Sequence, residues 1–152
     1  MSIPEQGTRL IKLIRSVDKC KHSIIAGGYV RDALLDAPFK DIDVFIPCKN
    51  LSRFKMAAEE LRDSTDIFDE ISEWQENGYR ELSPKFLGLY NAKFEGESVQ
   101  FIGYQMEEDD FATELIGDFH FYIDKVAYDG EELTVSHRHE EDVRHRTLTL
   151  CK

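Results

Sequence analysis

Residues 24–47 read IIAGGYVRDALLDAPFKDIDVFIP, and the reading of this stretch decides the fold. Ser23 to Ala26 is short and apolar, which predicts a buried strand. Gly27 and Gly28 then break the chain into a turn. From Tyr29 to Leu35 the apolar residues Val30, Ala33 and Leu34 recur at helical spacing, and Ala37-Pro38 closes that helix. Asp41 to Pro47 sets Ile42, Val44 and Ile46 against Asp41, Asp43 and Phe45, the period of a strand.

Each part of the stretch has a chemical use. Two glycines between a strand and a helix let backbone approach a ligand, and the first-turn N–H groups favour an anion such as phosphate. The spacing matches neither the GxxxxGK[ST] phosphate loop nor the GxGxxG dinucleotide turn. Asp41 and Asp43, at i and i+2 of a strand, share one face about 6–7 Å apart. They repel each other unless a cation sits between them. Mg²⁺ or Mn²⁺ takes such oxygen ligands and keeps positions open for substrate phosphates. Two such ions roughly 4 Å apart clamp the attacking and leaving oxygens of a phosphoryl or nucleotidyl transfer. A bare Asp-x-Asp also fits the solvated face of an edge strand, because Asp is mostly exposed. The adjacent glycine turn shifts the balance toward a metal pair beside a phosphate cradle. Arg31 and Asp32 read either as surface charges on the helix or as a triphosphate contact and an orienting partner.

Outward from this stretch, Leu10, Ile11, Leu13, Ile14 and Val17 form an apolar stripe that predicts a packing helix over 4–19. Residues 50–62 predict another helix, capped by Asn50 or Ser52. The acidic segment 63–84, which holds Trp74, has weak patterning and reads as irregular. Phe86–Phe94 and Ser98–Tyr104 predict a hairpin turning at Glu95-Gly96. A short helix follows over 109–116, with Asp109 as a candidate cap. Next come a strand over 119–128, a turn at Asp129-Gly130, a strand over 133–136, a helical turn over 140–145 and a strand over 147–150. Interleaved helices and strands without a linker predict one α/β (α+β) domain spanning residues 1–152.

Composition bounds the function. The chain has 152 residues, 41% of them hydrophobic and 32% charged, with a formal net charge of −11. Such a surface excludes a broad basic stripe for nucleic acid, so a polyanion must be held locally by cations or metal. Cys20, Cys48 and Cys151 are far apart and lack CxxC spacing, which argues against a disulfide framework or zinc site and for a reducing cytoplasm. No run approaches the length needed to span a bilayer. His22, His137, His139 and His145 have weak metal-site spacing and read as solvated.

GGYVRDALLDAPFKDIDVF resembles the head-domain signature GGxVRDxLLG…DxD of bacterial poly(A) polymerases and CCA-adding enzymes. These belong to the polymerase-beta-like nucleotidyltransferase superfamily. Gly27, Gly28, Val30, Arg31, Asp32, Leu34, Leu35, Asp41 and Asp43 match, while Asp36 stands where glycine is usual. FHFYIDKVAYDG is similar to the segment RRDFTINALAYD through Phe121, Ile123, Ala127, Tyr128 and Asp129. EEDVRHRTLTL is similar to the segment closing the head, through Asp142, Val143, Arg146 and Leu148. The resemblance runs from about Ser23 onward, and the neck, body and tail have no counterpart.

The resemblance implies a nucleotidyltransferase-like mixed sheet flanked by helices, with Asp41 and Asp43 as catalytic metal ligands. Gly27, Gly28, Arg31 and Asp32 would bind a nucleoside triphosphate, ATP or CTP. Two departures stand out. Gln100 occupies the place of the third catalytic carboxylate, and an amide cannot take a proton. Glu97 and Asp118 are the nearby acids that could substitute. His120 takes the place of an Asp in the nucleotide-selecting triplet, whose arginines are lost. Three readings follow. One is a minimal nucleotidyltransferase acting on an RNA 3′ end, a small molecule or a protein side chain. Another is a catalytically impaired module that binds nucleotide, RNA or protein. The third is an acidic mimic of nucleic acid.

Overall fold

The computed structural model describes residues 3–35, 41–64, 72–74, 85–106, 111–117 and 126–135. Helix α1 spans Glu5–Arg15 and a 3-10 turn spans Asp18–Cys20, so the helix expected over 4–19 is two pieces. Strand β1 is Ile24–Ala26, helix α2 Gly28–Leu34 and strand β2 Asp41–Cys48. Helix α3 is Leu51–Ser64 and strand β3 Ser72–Trp74. Strands β4, Phe86–Phe94, and β5, Glu97–Gln105, form the hairpin. Helix α4 is Phe111–Gly117, and strands β6 and β7 are Val126–Tyr128 and Leu133–Val135. The expected elements over 140–145 and 147–150, and the first residues of the strand expected over 119–128, lie outside the described residues.

Among the described residues the strands form one mixed seven-stranded sheet in the order β3-β4-β5-β2-β1-β6-β7. β2 pairs with β5 in parallel and with β1 antiparallel, so it is a central strand. Segment 63–84 is not irregular throughout. α3 continues to Ser64, and β3 pairs antiparallel with β4 through Glu73 and Tyr90. Its sequence pattern is too short to show a strand, and pairing to a neighbour decides it.

Both faces of the sheet are covered. On one, Ile42, Val44, Ile46, Val99 and Phe101 pack with Leu10, Ile11 and Ile14 of α1, Tyr29 and Val30 of α2, and Phe54, Ala57 and Leu61 of α3. On the other, Ile24, Phe45, Leu89, Ile102 and Tyr104 pack with Phe111, Leu115 and Ile116 of α4. Phe45, which the alternation sets with the two aspartates, is therefore core. Asn50 caps α3, its Oδ1 accepting the Arg53 N–H at 2.9 Å. The β4–β5 turn has positive φ at Glu95 and Gly96, 51° and 84°, the twist-matched form of a two-residue hairpin. Glu95 also takes an ion pair from Arg9, which ties α1 to the hairpin tip.

α1 approaches α2 closely. A Cβ on Gly7 would lie 2.5 Å from the Tyr29 hydroxyl, so only glycine lets this fully buried ring fill the gap. That contact fixes the first residues of α2 behind the glycine turn. It links a packing residue far along the chain to the placement of the candidate site.

Candidate functional site

The site begins at the break after β1. Gly27 has φ 79° and ψ −133°, a conformation that side chains disfavour, and its N–H donates to the Val126 carbonyl at 3.2 Å. The Arg31 N–H closes the first helical turn on the Gly27 carbonyl at 3.0 Å. The Arg31 side chain folds back over this turn. A Cβ on Gly28 would meet its Nη2 at 3.4 Å, while its Nε donates to Asp32 Oδ1 at 2.9 Å. Gly27, Gly28, Arg31 and Asp32 are thus brought together. α2 is only seven residues long, so its dipole is small, and the Arg31 guanidinium is the cation here, ion-paired with Asp32.

β2 brings the carboxylates to the same end of the sheet. The pairing registers define three cross-strand rows on one face. Phe45, Ile102 and Leu89 form an apolar row; Asp43, Gln100 and Asn91 form the next; Asp41, Ser98 and Lys93 form the outermost. α4 covers the apolar row, and the polar rows continue beyond it. In the middle row, Gln100 Nε2 donates to Asn91 Oδ1 at 3.4 Å. Asp43 Oδ1 is buried and accepts no hydrogen bond. Burial, and then the neighbouring Asp41, push the Asp43 carboxyl up to about 7.

These facts bear on the two readings of the Asp-x-Asp pair, whose residues are each half-buried. A solvated edge-strand face would leave both carboxylates hydrated and β2 at the margin. β2 is instead central, and one carboxylate oxygen is desolvated without a donor. A buried acceptor left unmatched costs about 1–3 kcal/mol, more when charged. A hard divalent cation is the partner that an orphaned carboxylate oxygen next to a second carboxylate fits. The residues present therefore suit Mg²⁺ or Mn²⁺, with Asp41 and Asp43 as the anionic ligands.

Gln100 does lie in register with Asp43, so the third position is at the site and is an amide. Glu97 does not replace it. The strand pleat puts Glu97 on the face of Val99, opposite to Gln100, and its charge is felt by the Tyr29 hydroxyl on that side. His120 and Asp118 lie outside the described residues, as do His137, His139 and His145. His22 lines a polar recess with Arg15, Thr113 and Asp129, on the side of β1 away from the aspartates. Among the described residues no group of three or more His, Cys, Asp or Glu could hold a metal.

Asn91 is the site residue that the sequence reading missed, although a signal was present. Counting back from the Glu95-Gly96 turn pairs Phe94 with Glu97 and Asn91 with Gln100. The hairpin alone therefore sets an amide beside an amide.

Among the described residues no helix is long and apolar enough to cross a membrane. The fold as a whole is nucleotidyltransferase-like, as alignment with solved structures shows. A tRNA-processing enzyme in an apo form aligns with a TM-score of 0.63 at 17% identity, over 97% of this chain and 37% of that one. A Thermotoga maritima CCA-adding enzyme complexed with tRNA aligns at 0.61 and 14% identity, over 93% of this chain and 32% of that one. A Bacillus stearothermophilus CCA-adding enzyme in complex with CTP aligns at 0.60 and 17% identity, over 99% and 34%. The chain spans about a third of the length of these structures, and at such identities the likeness shows the fold. No curated protein sequence matches. One family model, described as Gabija anti-defense 2 family protein, matches residues 5–146, and the chain belongs to that family.

Proposed function

We propose that this chain, as one nucleotidyltransferase-like domain, is a metal-dependent nucleotidyltransferase that moves a nucleoside monophosphate from ATP or CTP to an acceptor hydroxyl. The observation that carries this reading is the desolvated Asp43 oxygen, without a donor, beside Asp41 on a central strand. Asp41 and Asp43 hold Mg²⁺ or Mn²⁺, which supplies charge neutralisation at the phosphates when bound. Gly27 and Gly28 let the triphosphate approach the backbone, and Arg31 meets its charge. The fold neighbours complexed with CTP and with tRNA favour a nucleotide donor and an RNA 3′ end as acceptor, with a small molecule or a protein side chain as the other acceptors. The acceptor oxygen attacks the α-phosphorus, the bond to the β-phosphate oxygen breaks, and pyrophosphate leaves. Gln100 has no basic site, so the hydroxyl proton passes to solvent.

The family is described as Gabija anti-defense, and we read nucleotidyl transfer as the means of that opposition. Incubation with labelled nucleotides, Mg²⁺ or Mn²⁺ and pooled RNA or protein tests the reading. Wild-type chain labels an acceptor and the Asp41→Ala/Asp43→Ala variant does not; equal labelling by both sinks it. Gln100 favours a second reading, a module that binds nucleotide without turnover. Calorimetry separates the two, because nucleotide binding with no acceptor labelling selects the module.

A further inference from the structure

We infer that Asn91 is a positioning residue that turns the Gln100 carbonyl oxygen toward Asp43, making Gln100 a neutral third oxygen ligand of the cation. The inference rests on the reading of Asp41 and Asp43 as cation ligands. Gln100 stands between its two cross-strand neighbours, Asp43 on β2 and Asn91 on β4, with all three on one face. Its Nε2 donates to Asn91 Oδ1. The amide is planar, with oxygen and nitrogen on opposite flanks of the side-chain axis. Committing the nitrogen to β4 leaves the oxygen on the β2 flank, where Asp43 Oδ1 is buried and without a donor.

The opposite orientation would aim the NH₂ group at β2. It would then donate to the Asp43 carboxylate and compete with a cation for that oxygen. With Asn91 presenting Oδ1 to β5, as the structure has it, that state loses its bond to β4. The site so formed has three converging oxygens and two formal negative charges, which one divalent ion neutralises. A hard cation accepts an amide oxygen as readily as it accepts a backbone carbonyl. An outer residue that fixes a ligand's orientation is commonly worth 10-fold or more in metal affinity.

The test is Mn²⁺ binding by the full chain without nucleotide, read by electron paramagnetic resonance of the free ion. Gln100→Leu and Asn91→Leu each weaken binding about tenfold, and the double variant is no weaker than Gln100→Leu alone. A side chain that merely supports β4 would give losses that multiply, and that result overturns the positioning role. Asn91→Asp keeps an acceptor for the Gln100 NH₂ and retains wild-type or tighter binding. Weakening by Asn91→Asp equal to that of Asn91→Leu also overturns it, and this arm remains decisive where the leucine variant folds poorly. Mn²⁺ binding that survives Asp41→Asn/Asp43→Asn overturns the cation site itself. Binding that needs both aspartates but ignores Asn91→Leu overturns the positioning role alone.

Discussion

Asp43→Asn separates what this residue costs the fold from what it gives the site. In cation-free protein the Asp43 carboxyl is pushed from 3.8 to about 7, first by burial and then by Asp41. The native state therefore holds a proton that the unfolded state releases. Between about pH 4 and pH 7 stability falls as pH rises, and above that it is flat at its lowest value. The gap of about three pH units, at about 1.4 kcal/mol each, bounds the loss at ~4 kcal/mol. Asparagine removes the charge but leaves a buried, imperfectly paired amide, at about 1–3 kcal/mol. The variant should thus be more stable than wild type by about 1–3 kcal/mol near pH 8 in EDTA, and no more stable near pH 4.5. Urea unfolding at the two pH values measures this directly. Saturating Mg²⁺ should close or reverse the gap, raising wild type by about 2.7 kcal/mol at a hundredfold excess over Kd while leaving Asp43→Asn unmoved. A wild type whose stability is level from pH 5 to pH 8 in EDTA, with no response to Mg²⁺, refutes the reasoning.

Three further outcomes follow from named contacts. Gly7→Ala drives a methyl against the Tyr29 hydroxyl and should lower stability by about 1–3 kcal/mol despite alanine's better helix propensity, a loss visible as a lower Tm. Arg31→Ala removes the guanidinium folded over Gly28 and should weaken nucleotide binding by about tenfold or more in calorimetry, while the far-ultraviolet spectrum stays unchanged. Burial holds the Cys20 thiol up at about 12, so at neutral pH it should resist a disulfide reagent until the chain is unfolded, as mass mapping of the labelled peptide would show.

The strand–glycine–helix–strand unit was legible because each part is local. Gly27 and Gly28 break the chain, Val30 and Ala33 set a helical face, and Ile42, Val44 and Ile46 set a strand. The hairpin was legible for the same reason, since Glu95-Gly96 fixes its register within the turn. The place of β2 in the sheet was not. Its parallel partner β5 begins at Glu97, after a crossover that includes α3, β3 and β4, and no local pattern records such a pairing. Two misreadings follow from that one gap. Phe45 sat with the polar set because alternation presumes one wet face, whereas α4 covers the second face at that row. Glu97 stayed a candidate acid because proximity in sequence ignores the pleat, which turns it away from Gln100.

The three rows of the sheet face also bear on why Asp43 is an acid at all. Moving outward, Phe45–Ile102–Leu89 gives way to Asp43–Gln100–Asn91 and then to Asp41–Ser98–Lys93. A gradient from core to rim needs polar groups in its middle row, and Gln100 and Asn91 supply them as neutral amides that satisfy each other. An asparagine beside them would continue that pattern without a buried charge. The aspartate instead places a charge where burial and Asp41 both oppose it. The outer row gives no relief, because the Lys93 register position lies two strands from Asp41, on the far side of Ser98. We therefore read the carboxylate as serving a ligand that the fold alone does not require, and the proposed divalent cation has the charge that matches the pair.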